Sequence, residues 1–150
     1  MNQIAPVSSI MSKHLITLSP DDTLSVLKEV FENNNFHHLP VVRFNKPVGI
    51  MSQSVYKGYL LALTKHFDEA YINDVLLKNE KISEIMTKKL AKVEPTDTIG
   101  VALEVFRTNL VHSLLVVEKE ELVGIVTTYD IISFIAKEKI NDADYKNASV

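Results

Sequence analysis

The sequence of 150 residues contains no cysteine, no tryptophan and only four glycines. Without cysteine the chain has no disulfide, no thiol nucleophile and no thiolate metal site, a composition typical of a reducing compartment. Scarce glycine also argues against the glycine-rich loops that hold phosphates in P-loop and dinucleotide-binding folds. Any ligand must therefore be bound by other structural features.

Long apolar runs and an excess of basic charge are absent as well. Apolar runs such as residues 114–117 are far shorter than the ~20 residues that a membrane-spanning helix requires. The N-terminal stretch MNQIAPVSSIM lacks the basic start and apolar core of a signal peptide. The formal net charge of −3 supplies no cationic excess for nucleic-acid binding. We therefore expect a cytoplasmic protein of one compact domain or two small units, with no membrane or nucleic-acid partner.

What the sequence does contain is an internal repeat. Residues 10–56 align without a gap on residues 85–131, at an offset of 75, with 19 identities in 47 pairs. The stretches IMSKHL, SPDDTL, EVFENN and FHHLPVV align with IMTKKL, EPTDTI, EVFRTN and VHSLLVV. The chain therefore holds two copies of one supersecondary unit, each too small to bury its apolar face alone.

Each copy shows the same order of predicted elements. An extended piece (residues 15–18 or 90–93) precedes a proline turn, and the Asp-Thr pairs at 22–23 and 97–98 are candidate helix caps. Apolar residues at helical spacing follow, and three asparagines end the first helix. HLPVV and SLLVV are strands that pair through a short turn with VGIMS and VGIVT, before a second helix. The predicted order is strand, helix, strand, strand, helix, twice over.

These patterns also predict the organisation of the chain. We assign residues 1–69 to the first copy and residues 82–137 to the second. Residues 70–81 form a linker whose amphipathic pattern predicts a packing helix. Residues 138–150 are a polar C-terminal tail.

The duplicated pattern resembles the cystathionine-β-synthase (CBS) domain family, in the tandem form called a Bateman module. The resemblance rests on IM[ST]K, P-x-D-T-[LI], H-x-L-x-V-V and V-G-I-[VM]-[ST], each present twice and in this order. It implies an α+β fold in which two β-α-β-β-α motifs pack sheet to sheet about a pseudo-two-fold axis. It also implies binding of an adenosine-containing regulatory ligand, such as AMP, ADP, ATP or S-adenosylmethionine, in a cleft between the copies.

The resemblance places ligand contacts in VGIVTTYDII, residues 123–132. A carboxylate can accept hydrogen bonds from two ribose hydroxyls, and donors at a helix start can bind phosphate. The family pattern G-h-h-[ST]-x-x-D, where h is apolar, falls on Gly124, Thr127 and Asp130. This implies that Asp130 binds ribose and that Thr127 binds the ribose or phosphate edge, with Tyr129 between them. The alternative is that Asp130 only caps the helix.

In the family each cleft combines the acid of one copy with the first strand and the h-H-x-L stretch of the other. The implied nucleotide site consists of Leu15, Ile16, Thr17, Phe36, His37, His38, Thr127, Tyr129 and Asp130. Leu15 and Ile16 would sandwich the adenine. The second cleft would be lined by Ser52, Val55, Leu90, Ala91, Val111 and His112. Because Val55 stands where the first cleft has Asp130, we expect the second cleft to bind nucleotide weakly or not at all.

The adjacent histidines carry separate expectations. His37 has a repeat equivalent, His112, so a shared structural role is the alternative to ligand contact. His38 stands where family members often place an arginine, and its grip on phosphate would strengthen as the pH falls. Neighbouring strand residues point to opposite faces, so His37 and His38 cannot easily share a metal ion. The residue spacing shows no catalytic constellation, so we predict no enzymatic activity and no required cofactor.

Two functions remain open. The first is a regulatory module that senses one adenosine-type nucleotide per chain, forms a homodimer through its second helices, and signals to a regulated protein. The second is a ligand-free scaffold for dimerisation or protein interaction.

Overall fold

A β-hairpin with flanking helices occurs in each half of the computed structural model, which describes residues 3–137. The first half contains α1 (Leu24–Asn33), β1 (His38–Arg43), β2 (Lys46–Ser52) and α2 (Gln53–Leu63). A helical connection follows, formed by α3 (Glu69–Tyr71), a π-helix (Ile72–Leu76) and α4 (Leu77–Asn79). The second half contains β3 (Lys92–Val93), α5 (Ile99–Asn109), β4 (Ser113–Glu118), β5 (Glu121–Thr127) and α6 (Thr128–Lys137). Residues 138–150, the predicted polar tail, lie outside the described residues.

The two hairpins are built alike because their sequences repeat. Each closes through a two-residue turn, at 44–45 or 119–120, and all four turn residues have positive φ. Such turns match the right-handed twist of the paired strands. Each hairpin also shifts register once, after Val41 and after the equivalent Val116. The predicted hairpins are therefore confirmed, together with their turns.

The prediction of a leading strand at residues 15–18 of the first copy is wrong, because a single bridge forms there instead of a strand. Leu18 alone bridges β1, where its N–H donates to Pro40 O at 2.9 Å. The next ladder bond would need an N–H from Pro40 to the carbonyl of Ile16, and proline has none. In the second copy Leu115 replaces this proline and donates its N–H to Ala91 O at 3.1 Å. One proline therefore explains why only the second copy has a leading strand, β3.

The predicted Asp-Thr caps divide into two roles. Thr98 caps α5 through its side chain, whereas Thr23, at the start of α1, accepts no capping hydrogen bond. The carboxylates of Asp22 and Asp97 instead accept from the backbone N–H three residues earlier, both at 2.7 Å. These aspartates fix the turn that precedes each helix. The prediction that the Asp-Thr pairs cap the helices is therefore confirmed at Thr98 and wrong for Thr23 and both aspartates.

The core of each half also contains residues that precede the other half in the sequence, which we call the leading segment of that other half. Val7 is fully buried in the core of the second half, and its N–H donates to Asp97 O at 2.7 Å. Conversely, Ile72, Leu77 and Ile82 are buried in the core of the first half. Packing therefore crosses the boundaries that the sequence suggested after residues 69 and 81. Those boundaries remain a prediction.

A third apolar cluster joins the two hairpins. Its members come from both halves and comprise Leu15, Val42, Ile50, Leu90, Leu115, Val117, Leu122 and Ile125. Ser12 and Ile125 exchange two backbone hydrogen bonds of 2.9 and 3.1 Å, and the repeat-equivalent pair Thr87 and Ile50 exchanges two of 3.0 Å. The predicted α+β fold, with two motifs packed sheet to sheet about a pseudo-two-fold axis, is confirmed. No helix between residues 3 and 137 has the length and apolar character to cross a membrane.

Candidate functional site

A cavity of about 480 Å³ opens between the two halves. This volume lies in the range of small-molecule sites, roughly 300–1,000 Å³. Eight of the nine residues predicted for the nucleotide site line it, namely Leu15, Ile16, Phe36, His37, His38, Thr127, Tyr129 and Asp130. The structure thus brings together the N-terminal apolar residues and the C-terminal acid that the sequence separates by more than 100 positions. We call this cavity the first cleft.

Thr17 is the predicted residue that the structure places elsewhere. It is exposed and does not line the first cleft. Successive side chains of an extended chain point to opposite sides. Because Leu18 is buried in the first-half core, Thr17 faces solvent instead.

Other residues line the first cleft that the sequence did not assign to it. They are Ser12, His14, Asn35, Leu39, Pro40, His112, Ile125 and Thr128. For two of them the repeat relates the two halves, because the equivalents of Ser12 and His14 are Thr87 and Lys89, which line a second cavity described below. A contact made by one copy therefore predicts the equivalent contact in the other.

Asp130 and Thr127 cap α6 reciprocally. Asp130 Oδ2 accepts from both the N–H and the hydroxyl of Thr127 at 2.7 Å, and Thr127 Oγ1 lies 3.3 Å from the Asp130 N–H. This is the arrangement of a capping box. Both bonds to the carboxylate use Oδ2, and within residues 3–137 no group donates to Oδ1. Helix capping and a ligand contact through the second oxygen are therefore compatible.

The shared role of His37 and His112 lies in their backbone. The carbonyl of His37 accepts from the N–H of Gln53 at 3.0 Å, and the carbonyl of His112 accepts from the N–H of Thr128 at 3.2 Å. Each bond joins an h-H-x-L stretch to the start of the following helix. Both histidines are exposed and line the first cleft, so their side chains are not needed for this structural bond.

His37, His38 and His112 meet at one wall of the first cleft. Burial lowers the pKa of His38 below 6.5, and the nearby imidazoles of His112 and His37 lower it further. His38 is therefore neutral at pH 7 and supplies no positive charge there. Among residues 3–137, no cluster of three or more His, Asp or Glu side chains is arranged to hold a metal ion.

We expect the stability of the ligand-free protein to fall as the pH drops below about 6.5, because folding lowers the pKa of His38. The unfolded chain then binds more protons than the folded chain, which favours unfolding. His38→Gln should flatten this dependence, as measured by urea unfolding between about pH 7.5 and 5.5. An equal slope for variant and wild type would contradict the assignment. The other titratable groups that line the clefts beside His38 are His14, His37, Lys89, His112, Tyr129 and Asp130.

A second cavity, of about 170 Å³, lies on the pseudo-symmetric side and is called the second cleft. Five of the six predicted residues line it: Ser52, Leu90, Ala91, Val111 and His112. Val55 does not, and instead packs against the first-half core. Ser52 caps α2 by accepting from the Val55 N–H at 3.2 Å, so this helix needs no acid for its cap. His38 and His112 line both clefts.

Comparison with known proteins agrees with this architecture. The profile of the family described as CBS domain matches residues 7–54 and 82–137, more than half of the chain. This chain belongs to the CBS domain family. The CBS domain pair is 30% identical over 135 residues to a CBS domain-containing protein of Dictyostelium discoideum, covering 87% of this chain and 91% of that protein.

One further sequence relative and one solved structure are similar to the CBS domain pair over most of its length. It is 31% identical over 138 residues to the uncharacterized protein MJ1404 of Methanocaldococcus jannaschii, covering 90% of this chain but only 29% of that protein. Among solved structures, it is similar to the CBS domain pair of protein MJ0100, with a TM-score of 0.74 and 25% identity. That similarity covers 91% of this chain and 99% of the other, which was crystallised with 5′-methylthioadenosine and S-adenosyl-L-methionine.

Proposed function

We propose that this CBS domain pair is a regulatory module that binds one adenosine-containing ligand in the first cleft. The observation that carries this proposal is the position of Asp130, which caps α6 through one oxygen and lines a cleft shared with Leu15 and Ile16. A carboxylate opposite an apolar slot provides what a nucleoside requires, since ribose presents hydroxyl donors and adenine an apolar face. The ligands of the MJ0100 pair, both adenosine derivatives, support the same class.

The pose follows from the chemistry of each wall. Leu15, Ile16 and Phe36 offer apolar surface for the adenine ring. Asp130 and Thr127 accept from and donate to the ribose hydroxyls. The 5′ substituent then lies near Thr128, at the N-terminus of α6, where backbone N–H groups favour negative charge.

The charges of the first cleft favour ligands with a short or uncharged 5′ substituent. Neither lysine nor arginine is among the residues that line it, and the pKa of His38 is lowered. A triphosphate would find no fixed cation to pair with there. Among the candidates, AMP, S-adenosylmethionine and related thioethers therefore fit this cleft better than ATP.

Isothermal titration and thermal unfolding with AMP, ADP, ATP, S-adenosylmethionine and NADH test this function. A ligand that binds the folded state raises the melting temperature, and at a fixed ligand concentration the rise grows with the logarithm of its affinity. We expect stabilisation by at least one adenosine ligand and weaker stabilisation by ATP than by AMP. No shift with any of the five would favour the alternative, a scaffold for dimerisation that binds no nucleotide.

The same module is proposed to act as a homodimer. The second helices of both halves expose apolar side chains, with Leu61 on α2 exposed at 66% and Ile132 on α6 at 62%. Sedimentation velocity should show a dimer that Ile132→Asp shifts toward monomer, and a wild-type monomer would contradict this. A ligand that contacts both halves stabilises the arrangement of the halves to which it binds more tightly. A regulated protein would then respond to this change in arrangement.

A further inference from the structure

Methionine is the one sulfur-containing residue type of this chain, which has four methionines and no cysteine. Met11 and Met86 occupy equivalent positions of the repeat, in IMSK and IMTK. Both are partly exposed, whereas Met51 is fully buried in the first-half core, and Met1 lies outside the described residues. A small oxidant that reacts with sulfur can therefore reach Met11 and Met86 in the folded protein more readily than Met51.

Met11 and Met86 lie where the two halves of the chain are joined. Met11 belongs to the first copy of the repeat but packs against the core of the second half, and Met86 packs conversely against the core of the first half. The residue after each methionine, Ser12 or Thr87, exchanges two backbone hydrogen bonds with the hairpin of the half on which that methionine packs. We call these two places the joints. Any change at the two sulfur atoms therefore acts on the contact between the halves.

Each joint contains a close contact between a methionine sulfur and a glycine of the hairpin. A Cβ atom added at Gly124 would lie 2.7 Å from Met11 Sδ, and one added at Gly49 would lie closer still to Met86 Sδ. Ordinary van der Waals contact begins at about 3.4 Å. The sulfur therefore occupies the space that any other side chain would fill, and an oxygen atom bound to it has no room on the glycine side.

We propose that Met11 and Met86 are modification sites at which a peroxide-type oxidant loosens the joints. A sulfur lone pair attacks one peroxide oxygen, the S–O bond forms as the O–O bond breaks, and the other oxygen leaves as water after taking the proton of the first. The thioether loses two electrons and the peroxide gains them. The sulfoxide is larger and more polar than the thioether, and a polar oxygen buried without a partner is destabilising. The joints must therefore open to let this oxygen reach water.

Hydrogen peroxide treatment of the folded full-length chain tests this proposal, with peptide mass spectrometry to locate the added oxygen. Met11 and Met86 should be oxidised at least about tenfold faster than Met51, which reacts only when its core opens. The oxidised protein should unfold at a urea concentration lower by roughly 0.5–1 M, because each joint then holds a polar oxygen. Oxidation of all three methionines at one rate, or an unchanged urea midpoint once Met11 and Met86 are fully oxidised, would overturn the proposal.

The double variant that combines Met11→Leu with Met86→Leu separates the joints from other effects of peroxide. Leucine has a volume close to that of methionine and forms no sulfoxide, so the variant should fold and its urea midpoint should be unchanged by peroxide. Met51→Leu is the matched control, which should lose as much stability on oxidation as the wild type. An equal loss in the double variant would contradict the proposal. No nucleotide enters this experiment, so its failure would leave the proposed function untouched, and a lack of nucleotide binding would leave this inference intact.

Discussion

Asp130→Asn is expected to weaken binding of the adenosine ligand by about tenfold to a hundredfold, the range for loss of hydrogen bonds to a charged group. The substitution removes the negative charge and one acceptor oxygen. The amide oxygen that remains can still accept from the Thr127 N–H, a bond of 2.7 Å in the wild type. The helix therefore keeps much of its cap, and the loss of affinity reports on ligand contact. Isothermal titration calorimetry measures it.

Asp97→Asn is the matched control for this variant. In the wild type the Asp97 carboxylate accepts from the N–H of Glu94, three residues earlier, at 2.7 Å. The bond from the Thr127 N–H to Asp130 Oδ2 has the same length. Asp97 lines neither cleft. Both variants remove one negative charge and alter the acceptor of the N–H three residues earlier, although Asp130 also accepts from the Thr127 hydroxyl. Only Asp130→Asn should lose affinity. Equal affinities for Asp130→Asn and wild type would reduce Asp130 to a helix cap.

Leu115→Ala is expected to lower the free energy of unfolding by about 2–5 kcal/mol, the range for truncating a buried leucine. Leu115 is 1% exposed and lies in the cluster that joins the two hairpins, with Val42 and Ile50 from the first half and Leu90 from the second. The cavity left by the substitution would lie between the halves. Because each half packs the other's leading segment, both halves should unfold in one transition, in the variant as in the wild type.

The control for Leu115→Ala is Leu110→Ala, in the same half. Leu110 is 85% exposed, so its truncation should change stability by no more than about 0.5 kcal/mol. Urea unfolding followed by circular dichroism and by tyrosine fluorescence measures both variants. Two separate transitions, or a loss for Leu115→Ala as small as for Leu110→Ala, would show that the halves do not share a core.

The sequence repeat predicts much of this fold because local chemistry was duplicated with it. The apolar β-branched runs around Val41 and Val116 form strands in both copies, and the asparagines at 33–35 end α1 as expected. The first cleft could be predicted from the family resemblance, which linked Asp130 to Leu15 and Ile16 across the chain. The strands and the end of α1 depend on short stretches whose structure is determined nearly independently of the rest, whereas the cleft joins distant parts of the chain and was predicted only through the resemblance.

The features that could not be predicted depend on long-range packing. Nothing local in the sequence shows that Val7 packs into the second half, or that Pro40 removes the one N–H needed for a longer leading strand. The lowered pKa of His38 arises from burial and from His112, which is distant in sequence. The solvent-facing position of Thr17 likewise follows from the burial of its neighbour, Leu18.

Intermolecular nuclear Overhauser contacts test most directly whether one ligand bridges the two halves of the chain. The sample is ¹³C,¹⁵N-labelled protein with the unlabelled adenosine ligand that binds most tightly in calorimetry. The expected result is contacts from adenine protons to the methyl groups of Leu15 and Ile16, together with contacts from ribose protons to Thr127 and Asp130. Contacts confined to one half, or to residues outside the first cleft, would contradict the proposed site.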